Sequence, residues 1–151
     1  MNDDLNRARQ MLEQGGYTCV LCKDNQIKTC TARGVRPLVE LLDAGKWSGY
    51  SAADKVIGKA TAFLYVLLDV RAVYTPVASE SAVSILKQHG IEPHCDLIVP
   101  AIYNRDRTGF CPMETTVRNI DNPNDALPAI RDTMAKLRQS MASLQDKTRQ
   151  S

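Results

Sequence analysis

The chain has 151 residues, a net charge of +2, 44% apolar residues and 24% charged ones. That length suits one domain with enough chain for a real core, and the composition is that of a soluble globular protein. A charge this mild gives no electrostatic footprint for nucleic acid or an anionic membrane. The longest apolar stretch, around residues 60–68, falls well short of the roughly 18–20 residues a membrane span needs.

The opening Met-Asn-Asp-Asp-Leu lacks the basic and then apolar regions of a signal peptide. Five cysteines, an odd number, fit reduced thiols better than a disulfide framework, so a cytoplasmic location is expected.

Residues 3–14 place Leu5, Ala8 and Leu12 on one helical face, and Gly15-Gly16 stops that helix. Two strand-like runs, Tyr17 to Lys23 and Ile27 to Ala32, flank Asp24-Asn25-Gln26 and read as a hairpin. A short helix follows with Pro37 in its first turn and Gly45 just past its end. Ser51 to about Asp69 reads as one buried helix, apolar on nearly every side after its first turns, with Ser51 as its cap. Arg71 to Ala78 is a β run, and Ser79 to His89 is a helix ended by Gly90. Asp96 to Val99 is a wholly apolar second strand, so strand, helix and strand predict a parallel, right-handed unit buried on both faces. Residues 101–110 form a polar loop, Cys111-Pro112 opens another helix, and a last helix starts near Asn124. The expected architecture is a three-layer α/β domain with an antiparallel hairpin edge joined to a parallel part. Ligands in such sheets sit beyond the carboxyl ends of parallel strands, beside helix N-termini. Ser51 to Lys59 and Asn104 to Glu114 are the candidates for that rim.

Charges are costly to bury unless they are paired or bind something, so Asp54, Lys55 and Lys59 at the mouth of a core helix mark a candidate site. Asp54 lies three residues after Ser51, which also fits a plain capping box. Lys55 and Lys59, four apart on one helical face, repel each other, and an anion between them would relieve the repulsion. The alternative is that both stems snorkel to water.

In Thr108-Gly109-Phe110-Cys111-Pro112-Met113-Glu114, Pro112 fits a first helical position, with Cys111 at the cap and Glu114 in the first turn. A thiol at a helix N-terminus has a lowered pKa and can act as a nucleophile; the alternative is an inert small hydrophobe. Asn104, Arg105 and Thr108 precede it and either bind a ligand or face solvent. Cys19-x-x-Cys22 matches a redox spacing, but in a strand positions three apart face opposite sides. Cys30 reads as core, and His94-Cys95 lacks the second pair a zinc site needs.

Tyr-Thr-Cys-Val-Leu (17–21), Arg-Gly-Val-Arg-Pro-Leu (33–38), Ser-Ala-Ala-Asp-Lys-Val-Ile-Gly-Lys-Ala (51–60) and Thr-Gly-Phe-Cys-Pro-Met-Glu (108–114) resemble an uncharacterised prokaryotic family, domain of unknown function 1893, over about residues 5–135. The resemblance implies the cytidine-deaminase-like fold, a β-sheet sandwiched by helices, and no established activity. Zinc deaminases need a His or Cys two residues before a catalytic Glu, then Pro-Cys-x-x-Cys at the next helix. On the resembling positions the first ligand falls at Ala52 and the Glu at Asp54. Val77 and Glu80 take the cysteine positions. All three metal ligands are missing, so neither a metal site nor zinc-dependent deamination is expected, and no cofactor is implied.

Two functions follow. One is a small-molecule-binding domain, residues 1–135, with an anionic or nucleotide-like ligand held by Lys55, Lys59, Asn104 and Thr108. The other is an enzyme of non-zinc chemistry, with Cys111 as nucleophile or redox thiol and Asp54 or Glu114 as acid/base. Residues 136–151 form a helical extension. In it Leu137, Met141 and Leu144 continue a heptad-like seam from Leu127, Ile130 and Met134, so a homodimer through this helix is expected.

Overall fold

The computed structural model describes residues 2–102 and 112–150, the last ten of these by backbone alone. Helix α1 (Asp3–Gln14) starts where the Asn2 side chain accepts from the Leu5 N–H, and it buries Leu5, Ala8 and Leu12. Strands β1 (Cys19–Lys23) and β2 (Gln26–Cys30) form the expected antiparallel hairpin. Asp24 makes its tight turn at a φ of 53°, a left-handed conformation that Asp tolerates. Helix α2 (Arg36–Ala44) carries Pro37 in its first turn.

The segment expected as one helix from Ser51 to Asp69 is instead strand β3 (Ser51–Asp54), strand β4 (Val56–Ile57) and helix α3 (Lys59–Leu68). Ala, Asp and Lys suit a helix locally, but Ala52 and Ala53 lie wholly buried between β1 and the next strand, β5 (Ala72–Ser79). Ladder bonding on both sides overrides propensity there. Ser51 therefore caps nothing, Asp54 ends a strand, and Lys55 is the break between two strands.

Helix α4 (Glu80–Gln88) begins with Ser79 accepting from the Ala82 N–H, and β6 (Glu92–Val99) follows. Antiparallel β2, β1 and β3 are successive neighbours, and β5 runs parallel to β3, β4 and β6. Because β6 takes one side of β5 along its length, β4 shares the other side with β3. The strand expected at Asp96–Val99, buried on both faces, is corrected in two ways. It starts at Glu92, and Leu97 and Ile98 are 55% and 51% exposed. Among the described residues β6 pairs with β5 alone, so it is an edge. Pro93 is tolerated for the same reason: the Glu92 N–H donates back to Arg71, so the alternate position faces away from the ladder.

Helices α5 (Pro112–Val117) and α6 (Pro123–Gln150) complete the chain. One face of the sheet packs α1 against Val20, Cys22, Ala53, Ala72 and Tyr74. The other packs α2, α3, α4 and α6 through Leu38, Phe63, Leu64, Leu86 and Ile130. The result is a mixed α/β fold with helices on both faces of a six-stranded sheet.

Candidate functional site

Three segments leave the carboxyl ends of parallel strands at one edge of the sheet. Lys59 follows β4, Ser81 follows β5, and Pro100 and Ala101 follow β6. Together with Glu114 and Thr115 of α5 and with Arg118 they line a cavity of about 230 Å³. The sheet's own geometry thus puts two helix N-termini and two cationic residues at this rim.

Glu114 is fixed by α3. Gly58 supplies no capping side chain, and the Glu114 carboxylate instead accepts from the backbone N–H groups of Lys59 and Ala60. A Cβ on Gly58 would sit 1.9 Å from Glu114 Oε1, so the glycine is what admits the carboxylate to the helix end. Burial raises the Glu114 pKa, against the opposing pull of those amides and of the Lys59 charge. Lys59 Nζ donates to the Arg118 carbonyl at 3.1 Å and stands 5.7 Å from the Phe63 ring centre.

Asp54 and Lys55 do not join this site. Lys55 is exposed at the strand break, its N–H donating to the Thr18 carbonyl at 3.2 Å. The expected Lys55–Lys59 pair on one helical face fails because Lys55 precedes the helix. Asp54 is half-buried beneath α3, where Tyr65 donates to its Oδ2 at 2.7 Å and the Val56 N–H to its Oδ1 at 3.3 Å. Burial lifts its pKa to about 6, opposed by those bonds. Cys111, Asn104 and Thr108 lie outside the described residues. Ala52, aligned above with a metal ligand, sits on β3 rather than on a helix. Among the described residues no three His, Cys, Asp or Glu side chains gather as a metal site.

Lys59 and Glu114 are therefore the two expected residues the fold brings together. Ser81, Thr115 and Arg118 were not anticipated. Ser81 was within reach, since Ser79 reads as a helix cap directly after a parallel strand; Arg118 carried no local signal.

The family's sequence pattern, TM1506: domain of unknown function (DUF1893), matches residues 7–134. The chain belongs to the DUF1893 family. A solved DUF1893 family protein (TM1506) from Thermotoga maritima superposes with a TM-score of 0.80 at 22% identity, over 87% of this chain and 91% of that one. At that identity the likeness speaks for the fold alone. No curated protein matches the chain.

Proposed function

We propose that this DUF1893 protein binds a small anionic, nucleotide-like metabolite in the cavity between the N-termini of α3 and α4. The observation that carries the reading is the convergence of Lys59 and Arg118 with the hydroxyls of Ser81 and Thr115 at the carboxyl edge of the parallel strands. Helix N-termini and cations together favour negative charge. A volume of about 230 Å³ lies below the roughly 300–1,000 Å³ of drug-sized sites, which favours a small metabolite or one moiety of a nucleotide. We read the architecture as a cytidine-deaminase-like fold whose metal ligands are absent and whose pocket persists. The unpaired thiols Cys19, Cys22, Cys30 and Cys95 suit a reducing, cytoplasmic setting.

Thermal-shift measurements with inorganic phosphate, sulfate and nucleoside monophosphates test this. A ligand that binds only the native state raises Tm; the parent protein should respond and Lys59→Ala should not. Equal shifts in both would remove Lys59 from the site, and no shift with any anion would overturn the reading.

The second reading, a non-zinc enzyme, draws on Glu114, whose raised pKa suits acid/base work at a cavity wall. Cys111, three residues earlier in sequence, is the nucleophile it would serve. Glu114→Gln that keeps anion binding while abolishing a turnover would favour this reading over simple binding.

A further inference from the structure

A cross-strand row lies away from the cavity, on the antiparallel side of the sheet. Cys30 of β2 stands directly opposite Cys19 of β1, and Cys19 stands directly opposite Asp54 of β3. Side chains at paired positions share a face, and all three face α3, whose Tyr65 hydroxyl bonds Asp54. Opposed residues on antiparallel strands have Cα atoms about 4.5–5.5 Å apart, inside the roughly 4.4–6.8 Å that a disulfide spans. Thr18 holds the end of the row: its N–H and its hydroxyl both donate to the Cys30 carbonyl, at 2.8 and 3.1 Å. Cys19 is 3% exposed, whereas Cys30 is half-buried and reachable. The Cys19–x–x–Cys22 pair, by contrast, is split between the two faces of the sheet.

We propose that Cys30 and Cys19 are a reversible thiol–disulfide pair that exchanges with low-molecular-weight organic disulfides, with Asp54 as the base for Cys19. The Cys30 thiol gives its proton to solvent and its thiolate attacks one sulfur of the small disulfide, whose S–S bond breaks and releases the first small thiolate, which takes a proton from solvent. The Cys19 sulfur then attacks Cys30 in the mixed disulfide, releasing the second thiolate. Asp54 takes the Cys19 proton as the new bond forms. One small disulfide is reduced to two thiols and the protein dithiol is oxidised, so electrons and protons balance.

The division of labour follows from the surroundings. Hydrogen bonding from the Cys19 thiol lowers the Cys30 pKa, the mark of an attacking sulfur. The same bond, burial and the nearby Asp54 charge raise that of Cys19, which therefore needs a base. The other ionisable groups facing the row are Tyr65 of α3, Lys28 of β2 and Glu40 of α2. A dithiol of this kind in a reducing compartment belongs to transient exchange rather than to a permanent framework.

The test treats the full chain with excess 2-hydroxyethyl disulfide, quenches with acid, alkylates the remaining thiols under denaturing conditions and maps the peptides. The expected product is a Cys19–Cys30 crosslink that dithiothreitol reverses. Cys19→Ser should stop at a mixed disulfide on Cys30, Cys30→Ser should give neither product, and Asp54→Asn should slow closure of the mixed disulfide at least tenfold relative to its formation. If Cys19→Ser does not fold, the parent and Cys30→Ser alone decide, because Cys30 is half-buried and serine is nearly isosteric there. A crosslink or adduct on other cysteines, or unmodified Cys30, would overturn the proposal. Unchanged closure in Asp54→Asn would remove the base.

Discussion

The row Cys30–Cys19–Asp54 and the cavity at Lys59 and Glu114 each hold one carboxyl whose pKa burial has raised, but the two carboxyls are offset differently. Asp54 is met by one phenol and backbone N–H groups beneath α3. Glu114 is met by two helix amides and the positive charge of Lys59 beside an open cavity. Desolvation acts on both, and the neighbours decide what each can do. A carboxyl among thiols and a phenol is suited to moving a proton. A carboxylate that accepts from the amides of one helix N-terminus beside a cation is suited to anchoring a wall of the cavity.

The largest effect should come from removing the Asp54 charge. Its pKa rises from 3.8 unfolded to about 6 folded, so between those values the folded state binds the extra proton. Stability therefore falls as pH rises from about 4 to 6, by at most about 3 kcal/mol. Asp54→Asn should lose this dependence and be the more stable protein at pH 7–8, as measured by urea denaturation across pH 4–8. A parent whose stability rises through that window would show that Asp54 is not desolvated, and the contrast with Glu114 would collapse.

The second effect belongs to the cavity wall. Gly58→Ala places a methyl where Glu114 Oε1 now sits, and Ile102 Cγ1 lies 3.3 Å from the same point. The side chain must withdraw, and α3 loses its only cap from a side chain among the described residues. The expected cost is about 1–2 kcal/mol, the usual worth of an N-cap. Glu114→Ala should cost a similar amount, and Gly58→Ala in that background should then be close to neutral, because the two changes remove one interaction. Additive losses would show that Gly58 serves something other than Glu114.

Elements whose signals are local were legible. The amphipathic face of α1, Pro37 at the start of α2 and the hairpin turn at Asp24 are such signals. The apolar run after Lys59 is the core helix its composition predicts, but it starts at Lys59 and not at Ser51. Ser51 to Asp54 owes its strand conformation to β1 and β5 on either side, and nothing within the segment encodes those neighbours. Gly58, which a helix from Ser51 would hold in its interior, stands at the helix cap, where glycine costs only a few tenths of a kcal/mol. The same distinction explains the site. Glu114 could be singled out because it falls in the first turn of a helix opened by Pro112, and Lys59 only through a pairing with Lys55 that the structure does not form, whereas the row Cys30–Cys19–Asp54 depends on the register of three strands. Cys30 read simply as core for that reason.

The smallest effect on stability should come from shortening α6. Its hold on the fold lies early: Ala126 and Ile130 are fully buried, and Arg131 pairs with Asp43 of α2 at 2.7 Å. Residues 136–140 are all exposed, Leu137 to 42%. Truncation after Lys136 removes none of the early contacts, so stability should change by less than about 0.5 kcal/mol. Association is a separate matter. Isolated helices shorter than about 12–15 residues are marginal in water, and the apolar spacing of α6 continues through Met141 and Leu144. We infer that a second copy of the chain covers this seam. Light scattering should then report a dimer for the full chain and a monomer for the truncated one, with the cavity's response to anions unaltered in both. If both chains are monomers, the seam from Leu127 to Met134 is core packing alone, and the end of α6 takes no part in self-association.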